Sequence, residues 1–349
     1  MNAYLSLLIL PVLSLGFILS SVLFLFYSER KLSAFIQDRM GPTYVGKSGL
    51  LQPAADLIKL IQKETIVPEK ARKFLFLVAP FLIFASVFSG FALIPLWPDL
   101  FTIPVVPGGL ILLLGVISIE AVAILLASYA SQSKFPMIGA ARAIAQMVSY
   151  EVPLSISVLA ILWISGSADL SEIQQTQIFA KELPARAHGL LDSVRHWGGI
   201  FTWNLVQFPV TLFLLPGFYL CIMAESNRAP FDIPEGESEI IGGFHTEYSG
   251  FLWAIFFLAE YAMMLILSLV MCYLFFGGSA SPIPDFGHPN FSSQPSFFWL
   301  VVKSWLLGLS MIWIRWTLPR MRVDQLMSLG WKVLTPISLV GFLVVVLVY

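Results

Sequence analysis

Four glutamates lie inside long apolar stretches of this 349-residue sequence, where a charged side chain is costly. Glu120 is near the middle of its stretch, Glu151 and Glu225 lie toward one end of theirs, and Glu260 lies well inside another. Desolvation disfavours the charged form of a carboxyl group, so such a group can exchange a proton near neutral pH. We interpret the four as a candidate proton path, with one alternative open: Glu151 could simply neutralise Arg142.

The segment 225–249 is the densest polar feature of the sequence. Its acidic residues are Glu225, Asp232, Glu235, Glu237, Glu239 and Glu247. Arg228 is its only Lys or Arg. Because clustered carboxylates repel one another, we expect Arg228 to orient these acids and to hold the shape of the segment. A solvated acidic loop is the alternative, although its proline and aromatic residues favour a functional segment.

The composition excludes several classes of protein. Apolar residues make up 58% and charged residues 12% of the chain, whereas soluble domains carry roughly a quarter of charged residues. The 20 Lys and Arg nearly balance the 21 Asp and Glu, so no basic excess is available to hold nucleic acid. Cys221 and Cys272 are too few for an iron–sulfur cluster or a disulfide framework. The sequence therefore predicts a membrane protein without a metal site.

Eight apolar runs are long enough to be membrane spans, since a bilayer core of about 30 Å needs roughly 20 apolar residues in a helix. They are 3–27, 74–96, 108–130, 144–164, 203–224, 250–276, 297–314 and 333–348. The first run lacks a basic start and is too long for a cleavable signal. We therefore predict an all-α polytopic membrane protein with a single membrane domain over 1–349.

The positions of lysine and arginine predict the orientation. Sixteen of the 20 lie on alternate segments, whereas the opposite side has three. The basic segments are 28–73, 131–143, 225–249 and 315–332. By the positive-inside rule these segments are cytoplasmic, which puts both termini on the outer, periplasmic side. The longest outer loop, 166–200, is expected to be a solvated excursion with a short helix.

Residues 50–63 predict an amphipathic helix that lies in the membrane interface instead of spanning it. Its apolar face has Leu50, Leu51, Ala54, Leu57, Ile58 and Ile61, and its polar face has Gln52, Asp56, Lys59 and Lys63. Two interpretations stay open. The helix either anchors the 28–73 loop, or its polar face lines a cavity that is reachable from the lipid.

Motifs spread over nearly the whole chain carry a resemblance to one family. They are ERK at 29–31, QDRMGP at 37–42, GLLQPAAD at 49–56, GAARAIAQ at 139–146, SYEVP at 149–153, ESNRAPFDIPEGESE at 225–239, EYS at 247–249, EY at 260–261, RW at 315–316, PRMRVDQLM at 319–327 and WK at 331–332. In these motifs the sequence resembles the family of H subunits of NADH-quinone oxidoreductase. That enzyme is respiratory complex I, and the mitochondrial counterpart of the family is subunit 1. The outer loop 166–200 is long for that family.

The resemblance implies eight spans and a position at the joint with the peripheral arm, in the inner membrane of a bacterium. It implies a quinone chamber and mouth formed by Glu29, Arg39, Asp56, Lys59, Arg228 and Phe231. It implies a coupling loop with Asp232, Glu235, Glu237, Glu239 and Glu247. The four glutamates Glu120, Glu151, Glu225 and Glu260 are expected to lead from the chamber toward the central hydrophilic axis.

The implied substrate is a quinone, and the implied partners are the other subunits of the complex. These include the peripheral-arm subunits with the terminal iron–sulfur cluster and the adjacent small membrane subunits. Because no residues here convincingly ligate a cluster, flavin or haem, we expect the redox centre to lie in a partner and this chain not to be catalytic alone.

Two other functions stay open at this point. A stand-alone secondary transporter could use the acids as ion sites, although no internal repeat is evident. The membrane subunit of a membrane-bound hydrogenase shares parts of the same pattern. A very large native mass would dismiss the transporter, and flavin and nickel assays would separate the other two.

Overall fold

The computed structural model describes residues 3–97, 108–178, 198–234, 236–284 and 295–349, with the backbone alone at 3–11 and 237–238. Every regular element in these ranges is helical. The helices used below are α1 (Ala3–Ile36), α2 (Gln52–Gln62), α3 (Lys73–Ala92), α4 (Gly109–Ser131), α5 (Lys134–Ser165), α6 (Leu170–Ile178), α7 (Pro209–Glu225), α8 (Gly250–Phe275), α9 (Phe297–Thr317) and α10 (Val323–Val348).

Seven helices among the described residues are long and apolar enough to cross a membrane. They are α1, α3, α4, α5, α8, α9 and α10. The remaining predicted span corresponds to α7, which is apolar but shorter, with 17 residues. The all-helical membrane architecture is thus confirmed, whereas the count of eight spans stays a prediction.

Two of these helices begin well before their predicted starts. α5 begins at Lys134 instead of residue 144, and α10 begins at Val323 instead of residue 333. Hydropathy detects only the apolar part of a helix, whereas lysine, arginine and alanine continue a helix readily outside it. Arg142 therefore lies on a helix and not in a loop.

Helix α8 is the centre of the fold. Its side chains are almost all buried, and α1, α2, α3, α7 and α9 pack around it. A helix that is apolar all round is expected at such a central position. Small residues allow close packing here: a Cβ at Gly90 of α3 would lie 2.6 Å from Cδ1 of Ile266 on α8.

The basic segments meet at one end of the bundle. The backbone N–H of Ile66 donates to Oγ of Ser249 at 3.0 Å, which joins the 28–73 segment to the 225–249 segment. The N–H of Met321 donates to the carbonyl of Pro230 at 3.2 Å, which adds the 315–332 segment. The ion pair of Arg142 with Glu239 adds the 131–143 segment, so the four segments with the sixteen bases lie at one end of the fold.

The opposite end is held by a buried lysine. Nζ of Lys303 donates to the carbonyl oxygens of Phe276, Gly278 and Ala280 at 2.6, 3.1 and 2.6 Å. The same ammonium lies 4.4 Å from the ring centroid of Trp203. All three ammonium protons therefore have acceptors, and the turn after α8 is fixed to α9.

The outer loop is only partly solvated where the structure describes it, since Glu172 and Gln175 on one face of its helix are exposed. The expected short helix is present as α6, but Gln174 and Gln177 on it are buried. Nε2 of Gln177 donates to the carbonyl of Tyr273 at 2.8 Å, and Nε2 of Gln174 donates to Oγ of Ser279 at 2.6 Å. The glutamine amides satisfy polar groups at and just after the end of α8, which is why they face inward. Residues 179–197 of this loop lie outside the described residues.

Candidate functional site

Glu29 on α1 is the centre of a buried polar cluster. Nη1 of Arg228 lies 3.3 Å from its Oε2, and Nη1 of Arg315 lies 2.5 Å from its Oε1. The hydroxyl of Tyr261 donates to Oε2 at 2.5 Å. Glu29 and Arg228 are only 7% and 4% exposed. One carboxylate thus holds two guanidinium groups, and the cluster has an excess of positive charge.

Arg228 keeps hydrogen-bonding capacity that no described residue uses. Its guanidinium lies over the ring of Tyr261, 4.0 Å from the centroid. Burial alone lowers the pKa of Arg228, but Tyr261, Glu29 and Glu260 raise it above its usual range, so the group stays charged. Its Nε and Nη2 are buried and have no hydrogen-bond partner among the described residues. Such donors can bind an acceptor on a ligand.

The prediction that Arg228 orients the acids of its own segment is wrong for the described residues. Asp232 pairs with Arg320 at 2.7 Å, and Glu239 pairs with Arg142 at 2.5 Å. These counter-ions come from distant parts of the chain, which fold against the acidic segment. Arg228 instead faces inward, toward Glu29.

A cavity of about 160 Å³ lies between α1, α2 and α8. Its wall is mostly apolar and aromatic and includes Phe26, Leu57 and Trp253. Arg30 and Asp56 line it as an ion pair at 2.6 Å. Tyr261 also lines the cavity, so the residue that donates to Glu29 joins the cavity to the buried charged cluster.

A second cavity of about 260 Å³ adjoins the first along α2. It is entirely apolar and lies among α1, α2, α3 and α8, with Phe81 and Phe251 in its wall. Leu57 and Leu258 line both cavities. Helix α2 thus covers one continuous apolar region. On the side of the first cavity this region ends at Tyr261.

The four membrane glutamates form one group in the structure. Glu120 interacts electrostatically with Glu225 and Glu260, and Glu225 interacts with Glu151. Glu120, Glu225 and Glu260 are at most 9% exposed. These acids, which the sequence places on four different helices, are therefore neighbours in space.

Glu151 is bound by a serine at a break in α4. The hydroxyl of Ser118 donates to Oε1 of Glu151 at the point where the two parts of α4 meet. Arg142, the alternative partner that the sequence suggested for Glu151, forms its ion pair with Glu239. The interpretation of Glu151 as half of a structural pair with Arg142 is therefore wrong.

Glu260 connects the glutamates to the charged cluster. It lies on the same helix as Tyr261, one residue earlier, and interacts electrostatically with Arg228. Its Oε1 lies 3.1 Å from Nε2 of His245. A polar route of neighbouring groups thus runs from the cavity through Tyr261 and Arg228 to Glu260, and on to Glu120, Glu225 and Glu151.

Comparisons with known proteins identify the family of the chain. The sequence model of the family described as NADH dehydrogenase matches residues 9–346. The second H subunit of NADH-quinone oxidoreductase from Cytophaga hutchinsonii is 45% identical over 351 residues, covering 95% of both chains. The H subunit of Chlorobaculum parvum is 42% identical over 321 residues, covering 90% of this chain and 84% of the relative. The H subunit of Chlorobium luteolum is 41% identical over 348 residues, covering 98% and 89%.

The chain belongs to the family of H subunits of NADH-quinone oxidoreductase. This membership confirms the resemblance that the motifs carry, and it identifies the chain as a membrane subunit of an oxidoreductase complex. Within this family member, the described residues include no group of three or more His, Cys, Asp or Glu side chains placed to hold a metal ion.

Not every residue predicted for the quinone chamber lines one of the two cavities of this chain. Arg39 is exposed and donates from Nε to Oε1 of Gln37 at 2.7 Å. Lys59 is exposed on α2. Phe231 is buried edge-on against Tyr150, with 5.3 Å between the ring centroids. Of the predicted set, Asp56 lines the cavity, while Glu29 and Arg228 lie behind Tyr261.

The structure describes only some of the predicted coupling-loop residues. Asp232 and Glu239 have the ion pairs given above, and Glu247 is half-buried. Glu235 and the side chain of Glu237 lie outside the described residues.

Three residues of the site were not predicted from the sequence as site residues. They are Arg315, Tyr261 and His245. The first two lie within motifs that carry the resemblance, and this position is the sequence signal for them. No local pattern marks His245 as a partner of Glu260.

Proposed function

We propose that this chain forms the quinone chamber of a proton-translocating NADH-quinone oxidoreductase and couples quinone reduction to proton movement. Its relatives are named for NADH and quinone. The observation that carries the proposal is the junction at Tyr261, where a mostly apolar cavity meets the charged cluster of Glu29, Arg228 and Arg315. The chain has no redox centre of its own in this proposal and is not catalytic alone.

The two cavities fit the chemistry of a quinone. A quinone has an apolar isoprenoid tail and a head with two carbonyl oxygens that accept hydrogen bonds. The apolar cavities along α2 suit the tail, and the buried donors of Arg228, behind Tyr261, suit a polar head that approaches from the peripheral arm. Binding sites of this kind are mostly apolar with a few placed polar groups.

Coupling follows from the electrostatic contacts of the buried acids. Reduction of a quinone to a quinol takes two electrons and two protons, and the electrons come from a partner with the terminal iron–sulfur cluster. The charge change near Arg228 acts on Glu260, and through it on Glu120, Glu225 and Glu151, because charges interact strongly where water is scarce. These acids then release or accept protons. The coupling loop, which lies between the cluster and the glutamates, changes its conformation in response.

The proposed topology has eight crossings, with α7 as the fifth. The sixteen bases at one end of the bundle favour a cytoplasmic position for that end. Both termini then face the periplasm of a bacterium, with the chain in the inner membrane. Helix α2 lies in the cytoplasmic interface, and the cytoplasmic end contacts the peripheral-arm subunits and the neighbouring small membrane subunits.

The chamber can be tested with a substitution that fills the two cavities along α2. Leu57 lines both cavities, whereas Ile58 on the same helix is 57% exposed and lines neither. We expect Leu57→Trp in the assembled complex to lower quinone reductase activity at least severalfold, while NADH oxidation by an artificial acceptor is unchanged. Ile58→Trp should keep both activities. Equal quinone reductase activity in the two variants would refute a chamber along α2.

A further inference from the structure

His245 is the imidazole nearest to the buried acids in the described part of the chain. Its Nε2 lies 3.1 Å from Oε1 of Glu260, and the two side chains are only 12% and 11% exposed. Histidine is the side chain whose charge ordinarily changes near neutral pH. A contact of this kind between an imidazole and a carboxylate can transfer a proton within one hydrogen bond.

The imidazole is held in place by close backbone packing. His245 ends a short helical turn, Gly243–His245, that packs on α5. A Cβ at Gly139 of α5 would lie only 2.8 Å from Cα of Gly243, so this approach requires glycine. The ring of Phe256 packs edge-on against the imidazole, with 5.1 Å between the centroids. The ring of His245 therefore has a fixed direction toward α8.

The charged neighbours of the pair link it to both parts of the site. Arg228, in the segment after α7, and Glu120, on α4, interact electrostatically with Glu260. On α5, the charged residue near the acidic segment is Arg142, which Glu239 binds. The pair thus lies between the quinone-side cluster and the buried glutamates, next to the cytoplasmic end of the bundle.

We propose that His245 and Glu260 form a proton-loading pair, which takes protons from the cytoplasmic side and delivers them to the buried glutamates. In this step the Nε2–H bond of the imidazolium breaks and an O–H bond forms on Glu260, so both groups become neutral. Glu260 then passes its proton toward Glu120, and Nε2 of the neutral imidazole, whose Nδ1 keeps its proton, takes the next proton from water at the cytoplasmic end. This inference rests on the proposed function, because it supplies the protons that the glutamate path moves.

The first variant is His245→Gln, whose amide can still hydrogen-bond Glu260 but cannot carry a proton. In inverted membrane vesicles with the assembled complex, we expect proton pumping and quinone reductase turnover to fall roughly tenfold or more, since a positioned acid–base group contributes on the order of 10²–10⁴ in rate. The KM for the quinone and the reduction of an artificial acceptor should stay unchanged. Wild-type turnover in His245→Gln would overturn the proposal.

The second test is chemical rescue of His245→Ala. Added imidazole should restore turnover severalfold, whereas pyrazole, which has the same size but is far less basic, should not. Glu151→Gln serves as the control, because imidazole cannot replace a lost carboxyl group there. Equal rescue by imidazole and pyrazole would show that the ring only fills space and would overturn the proposal. If His245→Ala does not assemble, the His245→Gln result decides.

The outcome also separates this inference from the proposed function. If Glu151→Gln and Glu225→Gln stop pumping while His245→Gln does not slow it, the glutamate path stands and only the loading pair fails. If the glutamate variants pump normally, the proposed function fails whatever His245 does.

Discussion

The guanidinium of Arg228 lies 3.3 Å from the carboxylate of Glu29, although 199 residues separate them in the sequence. Both side chains are buried. This contact joins the start of the acidic segment to α1. It lies next to Tyr261, which lines the first cavity. Removing one partner of such a buried pair leaves an uncompensated charge, which costs about 3–5 kcal/mol.

The first prediction concerns Arg228. Arg228→Met should lower quinone reductase activity roughly tenfold or more, because a hydrogen bond to a charged group contributes about 1.5–3 kcal/mol. Reduction of an artificial acceptor by the peripheral arm should survive. The matched control is Arg72→Met, since Arg72 is exposed and lies over the ring of Tyr129 at 4.5 Å. Both rates must be measured on complexes of verified composition. Unchanged quinone reductase activity in Arg228→Met would remove Arg228 from the site.

The second prediction concerns the close contact at Gly139. Gly139→Ala should push the turn at Gly243 away from α5, and overpacking of this kind costs about 1–3 kcal/mol. Gly115→Ala is the control, because a Cβ at Gly115 would meet no described atom of this chain within 4 Å. We expect a lower thermal midpoint of the purified complex, and slower turnover, for Gly139→Ala only. Equal midpoints for the two variants would contradict the tight packing that positions His245.

The third prediction concerns the orientation of the chain in the membrane. Single cysteines at Ser48 and Ser167 should react differently with an impermeant thiol reagent on intact cells, with position 167 labelled and position 48 protected. The native Cys221 and Cys272 are buried, so their background reaction should be low. Labelling of position 48 without position 167 would reverse the topology and contradict the functional account.

Features that depend on residues close together in the sequence could be predicted from it. The 3.6-residue period of 50–63 predicted the helix that is present as α2 (Gln52–Gln62). The cost of burying a carboxylate identified Glu120 and Glu225, which are buried in the structure. Both signals are local: one comes from the helical repeat, and the other comes from a charged residue within an apolar run.

Pairings between distant residues could not be predicted in the same way. Charge density assigned Arg228 to the acids next to it in sequence, yet Asp232 is bound by Arg320 and Glu239 by Arg142. Which distant base reaches which acid depends on how the helices pack, and hydropathy does not encode that packing. The edge-on contact of Phe231 with Tyr150 is another pairing of distant residues that the sequence does not indicate.

In the proposed function, buried glutamates couple quinone reduction to proton movement. The direct test is proton pumping by an assembled Glu151→Gln, Glu225→Gln double variant in proteoliposomes, measured with a pH-sensitive dye during NADH oxidation. Glutamine keeps the size of each side chain but cannot titrate. Glu172→Gln is the control, because Glu172 is exposed on α6 at the opposite end of the bundle.

We predict that the double variant neither acidifies the far side of the membrane nor turns over quinone, while Glu172→Gln does both at the wild-type rate. Full proton pumping by the assembled double variant would contradict the claim that these carboxylates carry the coupling.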